Sequence, residues 1–201
     1  MNEASMRNII LASTSPRRKE LVELLRLPFE AVASAYEEDM SLLLPPRELV
    51  QHLALGKAQA VAMTYPDALV IGGDTIVVLK DRVMGKPHTP EEAREMLQAL
   101  RGTTHQVVTG LAVIDTATGE TKTSATVTDL TFKAYSDEEI ENYLKTGEPF
   151  DRAGAYAIQG YASLFVEKID GDYQGALGLS VVELVKILKG FDVDVWRAIL
   201  K

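Results

Sequence analysis

The segment that most constrains the fold is Ala68 to Leu79, ALVIGGDTIVVL, which is apolar except where Gly72-Gly73-Asp74-Thr75 interrupts it. The two apolar halves are typical of buried strands. Asp74 therefore lies within an otherwise apolar strand region, where an unpaired carboxylate is costly. A metal ion, a nearby cation or a role as a base would each explain its position. An aspartate that ends a strand and caps a turn would also explain it.

Helical and strand-like segments alternate along the chain. The apolar run from Asn8 to Ala12 ends in Ser13-Thr14-Ser15-Pro16, where Ser15 is a good N-cap and Pro16 a good first helical residue. Pro45-Pro46 opens an amphipathic helix that we expect to end near Met63. Further helices are predicted where a hydroxyl is followed three residues later by glutamate, the capping-box pattern. These matches begin at Thr89, Ser136 and Ser180.

A long hairpin is predicted in the middle of the chain, from residues 106–115 and 121–133. In its second strand the alternation slips near Asp129, which predicts a bulge there. Because an antiparallel hairpin stands among alternating strands and helices, we expect an α/β fold with a mixed sheet. No repeat and no Gly/Ser-rich linker divides the chain, so we expect a single domain over residues 1–201.

Composition argues against several classes of partner. The 21 lysines and arginines are outnumbered by 29 aspartates and glutamates, giving a formal net charge of −8. This balance disfavours a nucleic-acid polymer or an anionic membrane as the main partner. The chain has no cysteine, which excludes thiolate catalysis and Cys-ligated metals and suits a reducing compartment. Without a signal peptide pattern or an apolar stretch long enough to cross a bilayer, we expect a cytoplasmic protein.

Cationic residues cluster directly after the first predicted strand. Ser13-x-Ser15-Pro16-Arg17-Arg18 combines two hydroxyls, two guanidiniums and the positive end of a helix dipole. Arginine is suited to bidentate recognition of phosphate. Arg17 and Arg18 could instead be solvated surface residues, but cations at a helix N-terminus oppose the dipole, which favours an anionic ligand. Two lysines, Lys57 in a helix and Lys86 in the turn Gly85-Lys86-Pro87, are weak signals taken alone.

Together, these motifs resemble the Maf family of nucleoside triphosphate pyrophosphatases. The resemblance runs from Ile9 to about Lys189. It rests on five segments in order: Ser13-x-Ser15-Pro16-Arg17-Arg18, Lys57-Ala58, Gly73-Asp74-Thr75, Gly85-Lys86-Pro87 and Ala153-Gly154-Ala155-Tyr156-Ala157-Ile158-Gln159-Gly160. It implies an elongated, curved mixed sheet flanked by helices, with two lobes and a central cleft, as in Maf/ITPase-like folds. It also implies hydrolysis of a nucleoside triphosphate to the monophosphate and pyrophosphate with a divalent cation, Mg or Mn, and is compatible with a homodimer.

The resemblance assigns roles to individual residues. It makes Asp74 the proton acceptor and a metal-associated carboxylate. Contacts to the polyphosphate and the transition state are implied for Ser13, Arg17, Arg18, Lys57 and Lys86. Physical reasoning agrees, because attack of water at the α-phosphorus gathers negative charge that fixed cations stabilise. Glu37 and Glu38 are additional metal candidates, although an acidic run in a loop is usually only solvated.

Substrate specificity within the family is expected to depend on Thr75 and Gln159. Asp-Thr and Tyr-x-Ile-Gln-Gly resemble the dTTP/UTP pyrophosphatase branch, whereas the branch acting on 7-methyl-GTP differs at both places. A glutamine amide offers a donor and an acceptor, which complements O4 and N3–H of thymine or uracil. Gly160 predicts that this amide is pinned by its neighbours. The plainer interpretation of Gln159 is a satisfied loop amide.

Three departures from the family pattern stand out. Asp151-Arg152 replaces the expected Asp-Lys, Gly72 is an extra glycine, and residues 175–180 differ from the usual Asn-Val-Val-Gly-Leu-Pro. An alternative function is a non-catalytic nucleotide-binding regulator of septum formation and cell division. Both functions share the anion site, and Asp74 with its metal separates them, because a pure sensor needs neither.

Overall fold

Strands and helices alternate in the computed structural model, which describes residues 7–39, 42–150 and 152–200. Asp151 lies outside the described residues. The strands are β1 (Ile9–Leu11), β2 (Glu30–Ala31), β3 (Leu69–Leu79), β4 (Arg82–Met84), β5 (Thr104–Asp115), β6 (Thr121–Phe132) and β7 (Val166–Asp170). The helices are α1 (Pro16–Glu23), α2 (Pro46–Ala62), α3 (Pro90–Leu100), α4 (Asp137–Leu144), α5 (Tyr173–Leu177), α6 (Val181–Lys189) and α7 (Val195–Ile199). Short 3-10 helices span Ala153–Ala155 and Tyr161–Phe165.

The sheet is mixed, as the sequence predicts. Its strand order within the described residues is β2-β1-β3-β5-β6-β7, and β4 pairs with β3 beside this path. β1 is parallel to β2 and β3, whereas the other pairs are antiparallel. Helices flank this sheet, so the mixed α/β fold class is confirmed. None of the described helices is long and apolar enough to cross a membrane.

The central strand β3 is continuous through the Gly-Gly-Asp-Thr segment. It spans 11 residues and pairs with β5 from Leu69, opposite Asp115, to Val78, opposite Gln106. The division into two half-strands was therefore wrong, and so was the turn-capping explanation of Asp74. The buried pairing with β5 keeps the strand extended although two adjacent glycines weaken its propensity.

The other edge of β3 is only partly covered. Its pairing with β1 ends at Ile71, opposite Leu11, and its pairing with β4 begins at Val77, opposite Met84. Within the described residues, positions 72–76 have no strand partner on this edge, and we call this opening the β3 gap. Asp74 is the middle residue of the β3 gap.

Glycines allow helix α2 to lie close against the sheet beside the β3 gap. A Cβ on Gly72 would overlap the carbonyl oxygen of Ala54, and a Cβ on Gly110 would overlap that of Val50. Both carbonyls belong to α2. The extra glycine in the sequence thus has a structural reason, since any larger residue at position 72 would push the helix away.

Two local expectations need correction. Pairing between β5 and β6 is regular through Asp129, and the irregularity in β6 lies instead between Thr131 and Phe132, where it pairs with β7. The alternation slips because both faces of β6 are packed: Val127 contacts the core beneath α2, whereas Leu130 and Phe132 belong to a separate core cluster. At the start of α1, Ser15 makes no side-chain capping bond. The nearby Ser13 hydroxyl instead accepts a hydrogen bond from the Ser15 N–H at 3.2 Å.

Of the three capping-box matches, one forms completely. The Ser136 hydroxyl accepts from the Glu139 N–H, and the Glu139 carboxylate accepts from the Ser136 N–H. The hydroxyls at the other two helix starts accept the expected N–H, but their glutamates bond elsewhere. The carboxylate of Glu92 accepts from the His88 N–H, and that of Glu183 accepts from the Ser124 hydroxyl.

The contact between α2 and the sheet gives a stability prediction. Gly72→Ala should lower the free energy of unfolding by about 1–3 kcal/mol, because the added methyl has no space between strand and helix. Gly85→Ala is the matched control, since a Cβ there meets no atom within 4 Å. Urea denaturation of both variants measures the difference. Equal stability of the two variants would contradict the close contact.

Candidate active site

An ion pair between Asp74 and Lys57 occupies the β3 gap. Lys57 Nζ lies 2.6 Å from Asp74 Oδ1 and 2.8 Å from Glu38 Oε1. The side chains of Asp74 and Lys57 are 8% and 13% exposed, whereas that of Glu38 is 45% exposed. Two carboxylates therefore converge on one ammonium at the boundary between the core and solvent. The buried charge of Asp74 is compensated by a cation, one of the explanations that the sequence leaves open.

The close approach of α2 places Lys57 at this position. Side chains alternate between the two faces of a strand, so Asp74 shares the face of Gly72, against which α2 packs. Ser34, in the loop that carries Glu38, donates a hydrogen bond from its hydroxyl to the Lys57 carbonyl at 3.1 Å. This bond ties the acidic loop to the helix and brings Glu38 to the same ammonium.

Arg18 lies at the β1 end of the β3 gap. Its Nε donates to the Gly178 carbonyl at 2.9 Å, and its Nη1 donates to the Ser13 hydroxyl at 3.3 Å. Burial lowers the pKa of Arg18, and attraction to Asp74 and Glu38 opposes that shift. The structure therefore brings Ser13, Arg18, Lys57, Asp74 and Glu38 into one charged cluster, which we call the gap cluster.

Arg17 belongs to a second group of charges. Burial, followed by repulsion from Arg152 and Arg18, lowers the pKa of Arg17 to about 10, while attraction to Glu148 and Glu20 opposes this. At neutral pH the guanidinium is still charged. Arg152 is the residue that the sequence marks only as a departure from the family pattern, and the structure makes it a neighbour of Arg17.

Lys86 follows β4 at the other end of the β3 gap. β4 ends at Met84, opposite Val77, so the chain runs back along β3 toward Asp74. The Gly85 carbonyl accepts a hydrogen bond from the Gly154 N–H at 3.0 Å. Lys86 itself is exposed and makes no ion pair with a described residue. It is thus open to solvent and to any anion that enters the β3 gap.

Thr75 lies on the opposite face of β3 from Asp74, because adjacent residues in a strand alternate. Its hydroxyl is 3.0 Å from that of Thr109, which in turn donates to the Gly175 carbonyl at 2.8 Å. Thr75 and Asp74 are neighbours in sequence, but their side chains start from different sides of the sheet.

Gln159 is exposed, and its amide makes no hydrogen bond to a described residue. The backbone beside it is firmly held: the Gly160 N–H donates to the Ala157 carbonyl at 2.9 Å, and the carboxylate of Glu148 accepts from Tyr161 N–H at 2.9 Å and Ala162 N–H at 3.1 Å. The restraint expected from Gly160 therefore acts on the backbone. No described residue holds the side-chain amide of Gln159, which is free to flip.

A buried histidine anchors the start of the same loop. His105 Nε2 is 2.8 Å from the Tyr156 hydroxyl, and the two rings meet edge to face at 5.4 Å between centroids. Burial lowers the pKa of His105 to about 4, so it is neutral at pH 7. Its role is to hold the loop that carries Gln159.

The carboxylates of the gap cluster suit a divalent cation of the oxygen-preferring kind. Asp74 and Glu38 already converge on one positive charge, that of Lys57. Glu37 is exposed and has no described contact to the cluster. No group of three or more metal-ligating side chains occurs among the described residues. Carboxylate oxygens of this kind are donors that Mg²⁺ accepts, in sets of one or two together with substrate phosphates.

Two residues of this region were missed in the sequence. Arg152 was noted only as a charge-conserving change. Glu148 was not noticed at all, because a glutamate after a helix-ending glycine is normally a solvated surface residue. Here the Glu148 carboxylate also accepts from the Tyr143 hydroxyl at 2.8 Å. Both residues are identified only by contacts with residues that are distant in sequence, and no local sequence pattern marks them.

Comparison with known proteins settles the family. A family model described as Maf-like protein matches residues 8–191. This chain belongs to the Maf family. The resemblance stated from the sequence motifs is thereby confirmed over nearly the whole chain.

Curated Maf relatives are similar over almost their entire lengths. A dTTP/UTP pyrophosphatase of Bacillus cereus (strain ATCC 14579) is 50% identical over 193 residues, which cover 96% of this chain and 100% of the relative. A protein of the same description from Bacillus anthracis (strain CDC 684) is 49% identical over the same shares. Among solved structures, the Staphylococcus aureus Ham1 protein matches 63% of this chain and 72% of its own, with a TM-score of 0.46 and 16% identity.

Proposed function

We propose that this Maf protein is a nucleoside triphosphate pyrophosphatase that hydrolyses dTTP and UTP to the monophosphate and pyrophosphate. The observation that carries the proposal is the gap cluster: a carboxylate held by Lys57 within an open strand edge, with arginine and lysine at its two ends. Relatives described as dTTP/UTP pyrophosphatases are 50% identical to this chain over 96% of its length. We further propose a cytoplasmic enzyme, which the cysteine-free sequence suits; a homodimer stays a prediction.

Asp74 is the proton acceptor in this proposal. Its Oδ1 is bonded to Lys57, which fixes the orientation of the carboxylate. A water molecule beside the carboxylate gives up a proton to it as the water oxygen forms a bond to the α-phosphorus. The bond from the α-phosphorus to the bridging oxygen breaks, and pyrophosphate leaves with the electron pair. General base catalysis of this kind is typically a factor of ~10²–10⁴.

The surrounding cations stabilise the charge that this reaction develops. Ser13 and Arg18 are already oriented by hydrogen bonds to each other and to Gly178, so little reorganisation is needed when phosphate oxygens arrive. Lys86 approaches from the opposite end of the β3 gap. Cations at both ends suit an extended polyphosphate better than a single phosphate.

A divalent cation, Mg²⁺ or Mn²⁺, is part of the proposal and would be held by Asp74 and Glu38. When bound, it would neutralise charge on the substrate phosphates. Glu38 is the more exposed of the two carboxylates, so it can move from Lys57 toward a cation. Glu37 stays a weaker candidate, since it is exposed and lies beside the cluster only in sequence.

Catalysis distinguishes this proposal from the regulator alternative. A protein that only senses nucleotides needs an anion site but no carboxylate within it, because a carboxylate repels phosphate. In the proposed site, Arg18 and Lys86 flank Asp74, whose charge is offset by the ion pair with Lys57. This arrangement favours an enzyme.

Replacement of Asp74 tests the reaction itself. Wild type with Mg²⁺ or Mn²⁺ should release pyrophosphate from dTTP and UTP, measured with a coupled pyrophosphate assay on a panel of nucleoside triphosphates. Asp74→Asn should keep the fold and lose turnover by a factor of ~10²–10⁴, because the amide can neither accept the proton nor balance a cation. Wild-type turnover in Asp74→Asn would remove Asp74 from the mechanism, and no turnover in wild type would favour the regulator.

Replacement of Gln159 tests recognition of the base. Gln159→Glu should lower kcat/KM for UTP roughly tenfold or more, because a carboxylate lacks the donor that O4 requires. It should also shift relative preference toward 7-methyl-GTP, whose base edge presents donors. Since the described structure leaves the amide free to flip, Gln159 should discriminate less against CTP than against purines.

The matched control is Gln98→Glu, which makes the same charge change on the exposed face of α3. Its ranking of UTP, CTP and 7-methyl-GTP should equal that of wild type. An unchanged ranking in Gln159→Glu would mean that the base is recognised elsewhere, with backbone groups near Ser34 or Thr75 as the next candidates.

A further inference from the structure

Two buried guanidinium N–H groups near the gap cluster lack a partner. The Nε atoms of Arg17 and Arg152 are both buried and have no hydrogen-bond partner among the described residues. Buried polar groups are nearly always paired, and an unpaired donor is costly. We call these two residues the arginine pair. The described part of the chain leaves both Nε–H donors without an acceptor.

The charges around the arginine pair indicate that a ligand for its free donors would be an anion. Repulsion from Arg152 is, after burial, the largest cause of the lowered pKa of Arg17, so the two cations are close neighbours. Glu148 attracts Arg17 more strongly than Glu20 does, but its oxygens already accept from Tyr143, Tyr161 and Ala162. Within the described residues it forms no ion pair with either arginine. Glu148 and Glu20 attract Arg17 from a distance, but neither arginine of the pair forms an ion pair within the described residues.

The arginine pair lies beside the proposed reaction site. Arg17 precedes Arg18 in the first turn of α1, and Arg18 is bonded to Ser13 of the gap cluster. Arg152 begins the segment whose Gly154 N–H bonds the Gly85 carbonyl, next to Lys86. The arginine pair is therefore tied through the chain to both ends of the β3 gap.

We propose that Arg152 acts with Arg17 to bind the terminal phosphates of the substrate and then the pyrophosphate leaving group. The inference rests on the proposed function and adds a residue to it. When the bond between the α-phosphorus and the bridging oxygen breaks, the electron pair passes to the pyrophosphate. Two guanidinium forks stabilise that charge and can hold it bidentately. The monophosphate, which lacks these groups, does not reach the arginine pair.

Product binding tests the inference directly. Calorimetric titrations with inorganic pyrophosphate and with UMP are compared for wild type, Arg152→Gln and Arg152→Lys. Arg152→Gln should weaken pyrophosphate binding roughly tenfold or more and change UMP binding by less than about twofold. Arg152→Lys should recover part of the loss, since it restores the charge but not the fork. Arg197→Gln, an exposed arginine on α7, is the control and should match wild type.

A structural role would give a different pattern. If Arg152 only stabilises the loop near Glu148, Arg152→Gln should weaken pyrophosphate and UMP alike and lower the melting temperature. Either that result or unchanged pyrophosphate binding would overturn the inference.

A measurement on wild type covers the case in which Arg152→Gln does not fold. The Nε–H NMR signals of Arg17 and Arg152, assigned with the Arg→Lys variants, should shift on titration with pyrophosphate and stay in place with UMP. Chemical shifts that do not change on addition of pyrophosphate would overturn the inference.

The outcome is separable from that of the proposed function. If pyrophosphate binding depends on Arg152 but the protein does not hydrolyse UTP, the inference holds and the proposed activity is wrong. If the protein hydrolyses UTP but pyrophosphate binding does not depend on Arg152, the activity holds and the inference is wrong.

Discussion

The ion pair between Asp74 and Lys57 depends on how closely a helix can approach a sheet. A carboxylate in an apolar strand must be compensated, and removing one partner of such a buried pair typically costs about 3–5 kcal/mol. The lysine can reach it, at 2.6 Å, because Gly72 and Gly110 have no side chains of their own and so let α2 lie close to β3 and β5. These two glycines weaken the strands, but they allow the ion pair between Asp74 and Lys57 to form.

The incomplete edge of β3 gives this charge its access to solvent. β1 covers the first part of the strand and β4 the last, so the β3 gap is bounded by two chain segments that end beside Asp74. One segment leads into Ser13 and Arg18, and the other into Lys86. The length of the two flanking strands thus sets where these residues lie relative to Asp74.

Much of this arrangement could be predicted from local sequence. A polar interruption in an apolar strand marked Asp74, and helix-start signals marked Arg17 and Arg18. Alternation along a strand also predicts that Thr75 lies on the opposite face of β3 from Asp74. The resemblance to the family marks only that Thr75 is next to Asp74 in sequence. Whether the Gln159 amide has a partner could not be predicted, since the loop is fixed by Glu148 and by the pairing of His105 with Tyr156. The proximity of Arg17 and Arg152 likewise exists only after folding.

Hydrolysis of UTP in ¹⁸O-labelled water tests most directly whether Asp74 directs water at the α-phosphorus. Attack there forms the new bond between the water oxygen and the α-phosphorus, so mass spectrometry should find the label in UMP and none in pyrophosphate. Asp74→Asn should lose this reaction without changing the position of any residual label. Label in the released pyrophosphate would place the attack at the β-phosphorus and contradict the account of the gap cluster.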